Sequence, residues 1–233
     1  MNPLDRTKLF FGSSLLVAFV LFLVSALPSQ ALEMANRDKQ SSPCPSSAKI
    51  LIGYYSKYGS TRQYALWLRE RIPSDLAELS HDEPDLSRYD LVVIGSYVRM
   101  GKIAASSFLK KNWPLLRERE IILFTVSGTP PDHPALAESY KRSIPSEIRS
   151  RMIHHALPGR LIQKDLSLFD KILLYFGRTF EKDEAIRKTM LEDYDYVRRE
   201  NVLPLISDIQ KIMQSRCDRN RMESIVNPSS TDP

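Results

Sequence analysis

Glycine is scarce in this chain, with eight residues among 233. None stands in a G-x-G-x-x-G or G-x-x-x-x-G-K-[ST] run, so a glycine-rich dinucleotide loop and a Walker phosphate loop are both excluded. Cysteine is scarcer: Cys44 and Cys217 are the only two, far apart in polar stretches. That excludes a disulfide-dense scaffold, and with no C-x-x-C or Cys/His cluster it gives no zinc site. A single disulfide joining the two tails stays open if the chain is exported. The histidines His81, His133, His154 and His155 carry no ligand motif. His154 and His155 adjoin in a strand candidate, where neighbours point to opposite faces, so no metal is expected. A strong excess of one charge is also absent: 33 Lys+Arg stand against 28 Asp+Glu, for +5 and a pI near 9.1. This falls short of the basic stripe of a nucleic-acid binder but permits attraction to an anionic surface.

What the sequence does hold is one long apolar run. Residues 9–27, LFFGSSLLVAFVLFLVSAL, carry no charge over 19 positions, enough to cross a bilayer as a helix. Two readings fit. One is a membrane anchor; the other is a signal peptide whose densest apolar part is 15–24, followed by Pro28 and small residues around Ala31. Arg6 and Lys8 before the run and Arg37 and Lys39 after it leave the orientation open. Residues 1–31 are therefore read as anchor or signal peptide, 32–48 as a Ser/Pro-rich linker, 49–214 as the folded domain and 215–233 as a disordered tail. Both readings bring the chain to membrane lipid and leave the cytoplasmic or exported side undecided.

Within the domain, KILIGYY (49–55), YDLVVIGSYV (89–98) and EIILFTVSG (120–128) are short apolar, β-branched runs suited to strands buried on both faces. DLAELS (75–80) reads as a strand beside the first, and IHHALPGRLI (153–162) as a weaker fifth. Helices are expected over 61–72, over 105–119 with a break at Pro114, around Ala135 to Tyr140, and over 201–214. Alternating strands and helices predict an α/β three-layer sandwich around a five-stranded parallel sheet of order 2-1-3-4-5. Its ligand crevice lies at the carboxyl ends of the central strands.

The stretch YYSKYGSTRQYA (54–65) joins the first strand to the first helix at that crevice. A helix start offers unpaired N–H groups and a positive dipole end. Gly59 lets the backbone turn or approach closely, Ser56, Ser60 and Thr61 add hydroxyls, and Lys57 adds a charge. Two readings fit: a phosphate cradle, or an ordinary turn with Ser60 or Thr61 as N-cap.

S-K-Y-G-S-T after a buried strand resembles the flavodoxin signature [TS]-x-[TS]-G-x-T, matching at Ser56, Gly59 and Thr61 and departing at Tyr58. YDLVVIGS is similar to the third strand of that family. The run Val98-Arg99-Met100-Gly101-Lys102 and the extra sequence before the last helix look most like the menaquinone-dependent protoporphyrinogen oxidases of the flavodoxin superfamily. The resemblance implies a flavodoxin-like sandwich with FMN as cofactor, which in this chain follows the N-terminal hydrophobic helix read from residues 9–27. It implies cofactor contacts from Ser56, Lys57, Tyr58, Gly59, Ser60 and Thr61 in the first loop. The second loop would add Ser96, Tyr97, Val98, Arg99, Met100 and Gly101, and the third Ser127, Gly128 and Thr129. It further implies an enzyme taking hydride from protoporphyrinogen IX and passing electrons to menaquinone. No catalytic side chain is identified, because the cofactor carries such chemistry. Two other functions fit the same fold: an electron-transfer module, which the persistent basic excess disfavours, and a cofactor-free binding protein.

Residues 163–184 exceed a minimal flavodoxin. Leu166, Phe169, Leu173, Phe176 and Phe180 recur at three- and four-residue steps as one apolar stripe. It either packs on the core or lies in a lipid interface with Lys164, Lys171 and Arg178 toward headgroups.

Overall fold

The computed structural model describes residues 48–190 and 192–226. The apolar run and most of the linker lie outside the described residues, as does the chain after 226. Among the described residues no helix is long and apolar enough to cross a membrane, and no group of side chains could hold a metal ion.

Three strands form where the sequence is β-branched and apolar, β1 Ile50–Tyr55, β3 Leu91–Arg99 and β5 Glu120–Ser127, and the less apolar β2 Asp75–Glu78 and β6 Met152–Pro158 lie at the ends of the strand order. They pair in parallel in the order β2-β1-β3-β5-β6, which is the expected 2-1-3-4-5. A two-residue strand, β4 Lys102–Ile103, turns back antiparallel on the end of β3. Helix α1 (Ser60–Arg71) follows β1, and α2 (Ser106–Lys111) and α3 (Trp113–Leu116) precede β5, divided at Asn112 just ahead of Pro114. α4 (Pro134–Ser143) and α5 (Ser146–Arg149) precede β6. After β6 come the small hairpin strand β7 (Arg160–Leu161), helices α6 (Leu168–Phe180) and α7 (Glu184–Thr189), the partner strand β8 (Tyr194–Asp195), and α8 (Leu203–Val226).

The two-residue alternation of each strand divides the core in two. Ile50, Ile52 and Tyr54 of β1, Leu91 and Val93 of β3, and Ile122 and Phe124 of β5 pack with Tyr64 and Leu68 of α1 and with Leu205 and Ile209 of α8. Leu51, Val92, Ile94, Ile121 and Leu123 face Leu109, Leu116, Ile144 and Ile148 on the other side. Each fully buried side chain of this size contributes about 1.5–3 kcal/mol. These two layers fix the sheet, and with it the edge from which the loops emerge.

The last helix reaches Val226, well past Ser215, where the apolar periodicity stops. Arg216 extends its guanidinium to the Asp90 carboxylate at 2.7 Å, a contact between distant segments that no periodicity announces. Cys217 on this helix is disulfide-bonded, and Cys44, the chain's one other cysteine, lies outside the described residues.

Candidate functional site

The loops after β1, β3 and β5 leave the same edge of the parallel sheet. In the first, Gly59 takes φ 82°, the left-handed region, and fills the N-cap position of α1 without any side-chain cap. The Ser56 hydroxyl accepts the Arg62 N–H at 3.2 Å, and the Gly59 carbonyl accepts the Gln63 N–H at 2.9 Å. Among the described residues, no protein acceptor takes the N–H groups of Lys57, Tyr58, Gly59, Ser60 or Thr61. The Ser60 and Thr61 hydroxyls form no hydrogen bond there either, so neither residue serves as the cap. A Cβ placed on Gly59 would meet nothing within 4 Å, so the loop opens outward. Unpaired amides and hydroxyls at the positive end of a 12-residue helix are the donor set that a phosphate dianion requires.

The second loop is a two-residue hairpin. Arg99 pairs with Lys102, and between them Met100 and Gly101 take φ 51° and 66°. Left-handed values at both central positions define a type I′ turn, which suits glycine and strains methionine. Met100 is 68% exposed, and a Cβ at Gly101 would lie 2.8 Å from an Arg142 guanidinium nitrogen of α4. Tyr97 and Val98 are half-buried at the loop's base. Ser96, expected as a cofactor contact, turns its side chain inward. It is fully buried, its hydroxyl accepts the Ala105 N–H at 2.9 Å and donates to the Tyr97 carbonyl at 3.1 Å, so it braces the loop from inside.

In the third loop the Ser127 hydroxyl donates to the Thr129 carbonyl at 3.0 Å, and the Ser127 carbonyl accepts the Gly159 N–H at 2.6 Å. Gly128 is pressed by the Tyr194 phenol, whose oxygen would lie 1.8 Å from a Cβ there. Tyr194 stacks on Tyr196 with ring centroids 5.2 Å apart, and burial pushes its hydroxyl up to about 12. Sequence reasoning missed Tyr194, because a two-residue strand carries no periodic signal.

It also missed the residue that ties the site together, Asp170 of α6. Ser167 caps α6, its hydroxyl accepting the Asp170 N–H at 3.1 Å, a Ser-x-x-Asp spacing that was readable but unread. The Asp170 side chain is 7% exposed. Lys57 reaches it at 2.6 Å, Arg99 Nε at 2.9 Å, and the Tyr58 and Ser167 hydroxyls donate to it as well. Burial alone would raise its pKa, but the hydrogen bonds from Lys57, Tyr58, Arg99 and Ser167 hold it well below the usual carboxylate range. The Phe169 ring lies 5.4 Å under the Arg99 guanidinium. Lys57, Tyr58 and Arg99, three expected cofactor contacts from two loops, are thus brought together on a side chain of the extra segment. The loop amides remain unclaimed. A small cavity of about 170 Å³ beside α6, lined by Gln163, Lys171, Leu174, Tyr175 and Met190, involves none of these loop residues.

The histidines separate as strand geometry requires. His154 stacks on Tyr140 of α4 at 4.0 Å and meets Thr125 Oγ1 at 2.9 Å, while His155 meets Asp208 of α8 at 3.0 Å.

The flavodoxin domain family model matches residues 51–186. Among solved structures, a flavoprotein from Lactobacillus acidophilus NCFM in complex with FMN is 20% identical, with 48% of this chain and 93% of that chain covered and a TM-score of 0.36. Oxidised flavodoxin 2 from Bacillus cereus is 19% identical, with coverage of 61% and 92% and a TM-score of 0.37. A WrbA-like flavodoxin from Agrobacterium tumefaciens is 17% identical, with coverage of 53% and 88% and a TM-score of 0.35. No curated protein matches. With more than half of its residues matched by the family model, on a sheet of order β2-β1-β3-β5-β6 and an open helix-capping loop after β1, this chain belongs to the flavodoxin domain family.

Proposed function

We propose that this chain is a flavoprotein that binds FMN at the three loops and works as a membrane-associated oxidoreductase. The observation that carries the cofactor is the set of unpaired N–H groups over residues 57–61, with Ser60 and Thr61 buried beside them at the start of the helix. These groups hold the phosphate, and Lys57 supplies charge next to it. The half-buried Tyr97 and the Tyr194 phenol against Gly128 are the aromatic surfaces for the ring. The lactobacillar flavoprotein to which the chain is similar carries FMN. Bound FMN supplies two-electron, hydride-accepting chemistry. The chain's own part is to hold the phosphate, to bring Arg99 near developing negative charge, and to keep water from the ring by the walls of the second and third loops.

The likeness of the 98–102 turn to the menaquinone-dependent enzymes, the extra segment 163–184 and the apolar run 9–27 support protoporphyrinogen IX as hydride donor and menaquinone as acceptor. The same run supports a membrane location. The testing experiment uses the full chain in detergent with FMN, protoporphyrinogen IX and a soluble menaquinone analogue under anaerobic conditions. Porphyrin fluorescence rising with quinone reduction is expected. Bound flavin without turnover would instead identify an electron-transfer module.

One observation favours a second reading. Asp170 already neutralises Lys57 and Arg99, as a binding protein without cofactor would require. Failure to retain FMN decides for it.

A further inference from the structure

Surface helices normally turn an apolar stripe to the core and leave charge outside. Helix α6 does the reverse. Its only acid, Asp170, is held inward by Lys57, Tyr58 and Arg99. Leu168, Phe169, Ile172, Tyr175, Phe176 and Phe180 are between 47% and 79% exposed. At 100° per residue they share one sector of roughly 140°. Lys171 and Arg178 border that sector on one side, both exposed, while at the helix ends Lys164 stands beside Asp165 and Lys182 beside Glu181, so the positive charge at the sector's edge comes from Lys171 and Arg178. The inward pull on Asp170 sets this orientation, since the helix cannot roll its apolar side to the core without breaking two ion pairs.

We infer that the outward face of α6 docks on an anionic lipid bilayer. Its apolar side chains enter the boundary between headgroups and acyl chains, and Lys171 and Arg178 meet lipid phosphates. The inference rests on the membrane part of the proposed function. There the uncharged run at 9–27 holds the chain at a bilayer, and residues 28–48 span at most about 70 Å, keeping the domain within reach of it. Cations along the sector's edge complement an anionic surface and would oppose a second copy of the same face. The Arg99 to Phe169 contact joins the docking face to the rim of the second loop. A redox partner dissolved in the bilayer would therefore approach the flavin loops from the lipid side.

The test places the full chain, as wild type and as Phe176→Trp, in vesicles of equal parts phosphatidylglycerol and phosphatidylcholine with brominated acyl chains. The fluorescence that the variant adds to Trp67 and Trp113 should be quenched by bromine. In phosphatidylcholine alone the engagement should be about tenfold weaker, and Lys171→Glu with Arg178→Glu should remove the difference between the two lipids. Added fluorescence that stays unquenched while the chain is bound to the vesicles overturns the docking. Shielding from aqueous acrylamide without bromine quenching overturns it as well, and identifies a second copy as the cover. The altered side chains are exposed and leave the Asp170 contacts in place. Flavin absorbance of the same samples separates the two claims: retained flavin with an unquenched tryptophan overturns docking alone, and quenching without flavin overturns the cofactor reading alone.

Discussion

Asp170 is the residue on which the site's charge turns. Replacing it by Asn leaves Lys57 and Arg99 facing each other without a counter-ion. A fully buried pair broken in this way costs about 3–5 kcal/mol, but the two cations are 33% exposed. Solvent reduces the expected loss to about 1–2 kcal/mol. Hydrogen exchange should show amides of α6 opening faster in Asp170→Asn, with those of β3 and β5 unchanged. The carboxylate's pKa is depressed in the folded protein, so its contribution is present above the usual carboxylate range and fades only as pH falls through the folded value. Exchange of α6 should therefore be insensitive to this group from neutral pH down to mild acid. His154 behaves differently. Burial, with His155 adjoining, lowers it from 6.5 to about 4. The unfolded chain takes up the proton first as pH falls, so this group's stabilisation is full above 6.5 and is lost toward 4. Denaturant titration should show a drop on the order of 3 kcal/mol over that window, and His154→Gln should flatten it. The form of the loop after β1 was legible in the sequence because it is local: a strand, one glycine, three hydroxyls and a helix start. Asp170 and Tyr194 were not, because each acts across more than 60 positions of chain, and only the fold brings them to the loops.

At the scale of elements, strands announced themselves in proportion to burial. β1, β3 and β5 are covered on both faces and read clearly, whereas β6 is an edge strand with only Leu157 fully buried, and it read weakly. The two-residue turn at Met100 and Gly101 carries a strain that its sequence conceals, since methionine gives no hint of positive φ. Met100→Gly should stabilise the domain by about 0.5–1 kcal/mol, read as a higher denaturation midpoint. Gly101→Ala should destabilise it by at least as much. The stripe in 163–184 was visible as periodicity, yet periodicity does not say which way a helix faces. Leu166 went inside while Phe169, Phe176 and Phe180 stayed out, and the decision lay with one carboxylate.

For the whole molecule, the alternation of strands and helices predicted the sheet order that the structure shows. The reach of α8 to Val226 was illegible, since its second half, SRCDRNRMESIV, carries no sustained apolar stripe and makes contacts such as Arg216 to Asp90. Cys217 on that helix is disulfide-bonded. Alkylation followed by mass spectrometry of the native full chain should leave Cys217 unmodified until a reductant is added; modification without reductant would contradict this. The central claim is that the open loop after β1 holds the phosphate of FMN. The most direct measurement is the absorbance spectrum of the purified full chain after FMN is added and the mixture is passed through gel filtration, beside Gly59→Val. Valine at φ 82° is strained and would disturb the loop that presents the amides. The account predicts flavin bands that elute with the wild-type protein and are lost or strongly diminished in the variant. A colourless wild-type protein, or equal retention by both, would contradict it.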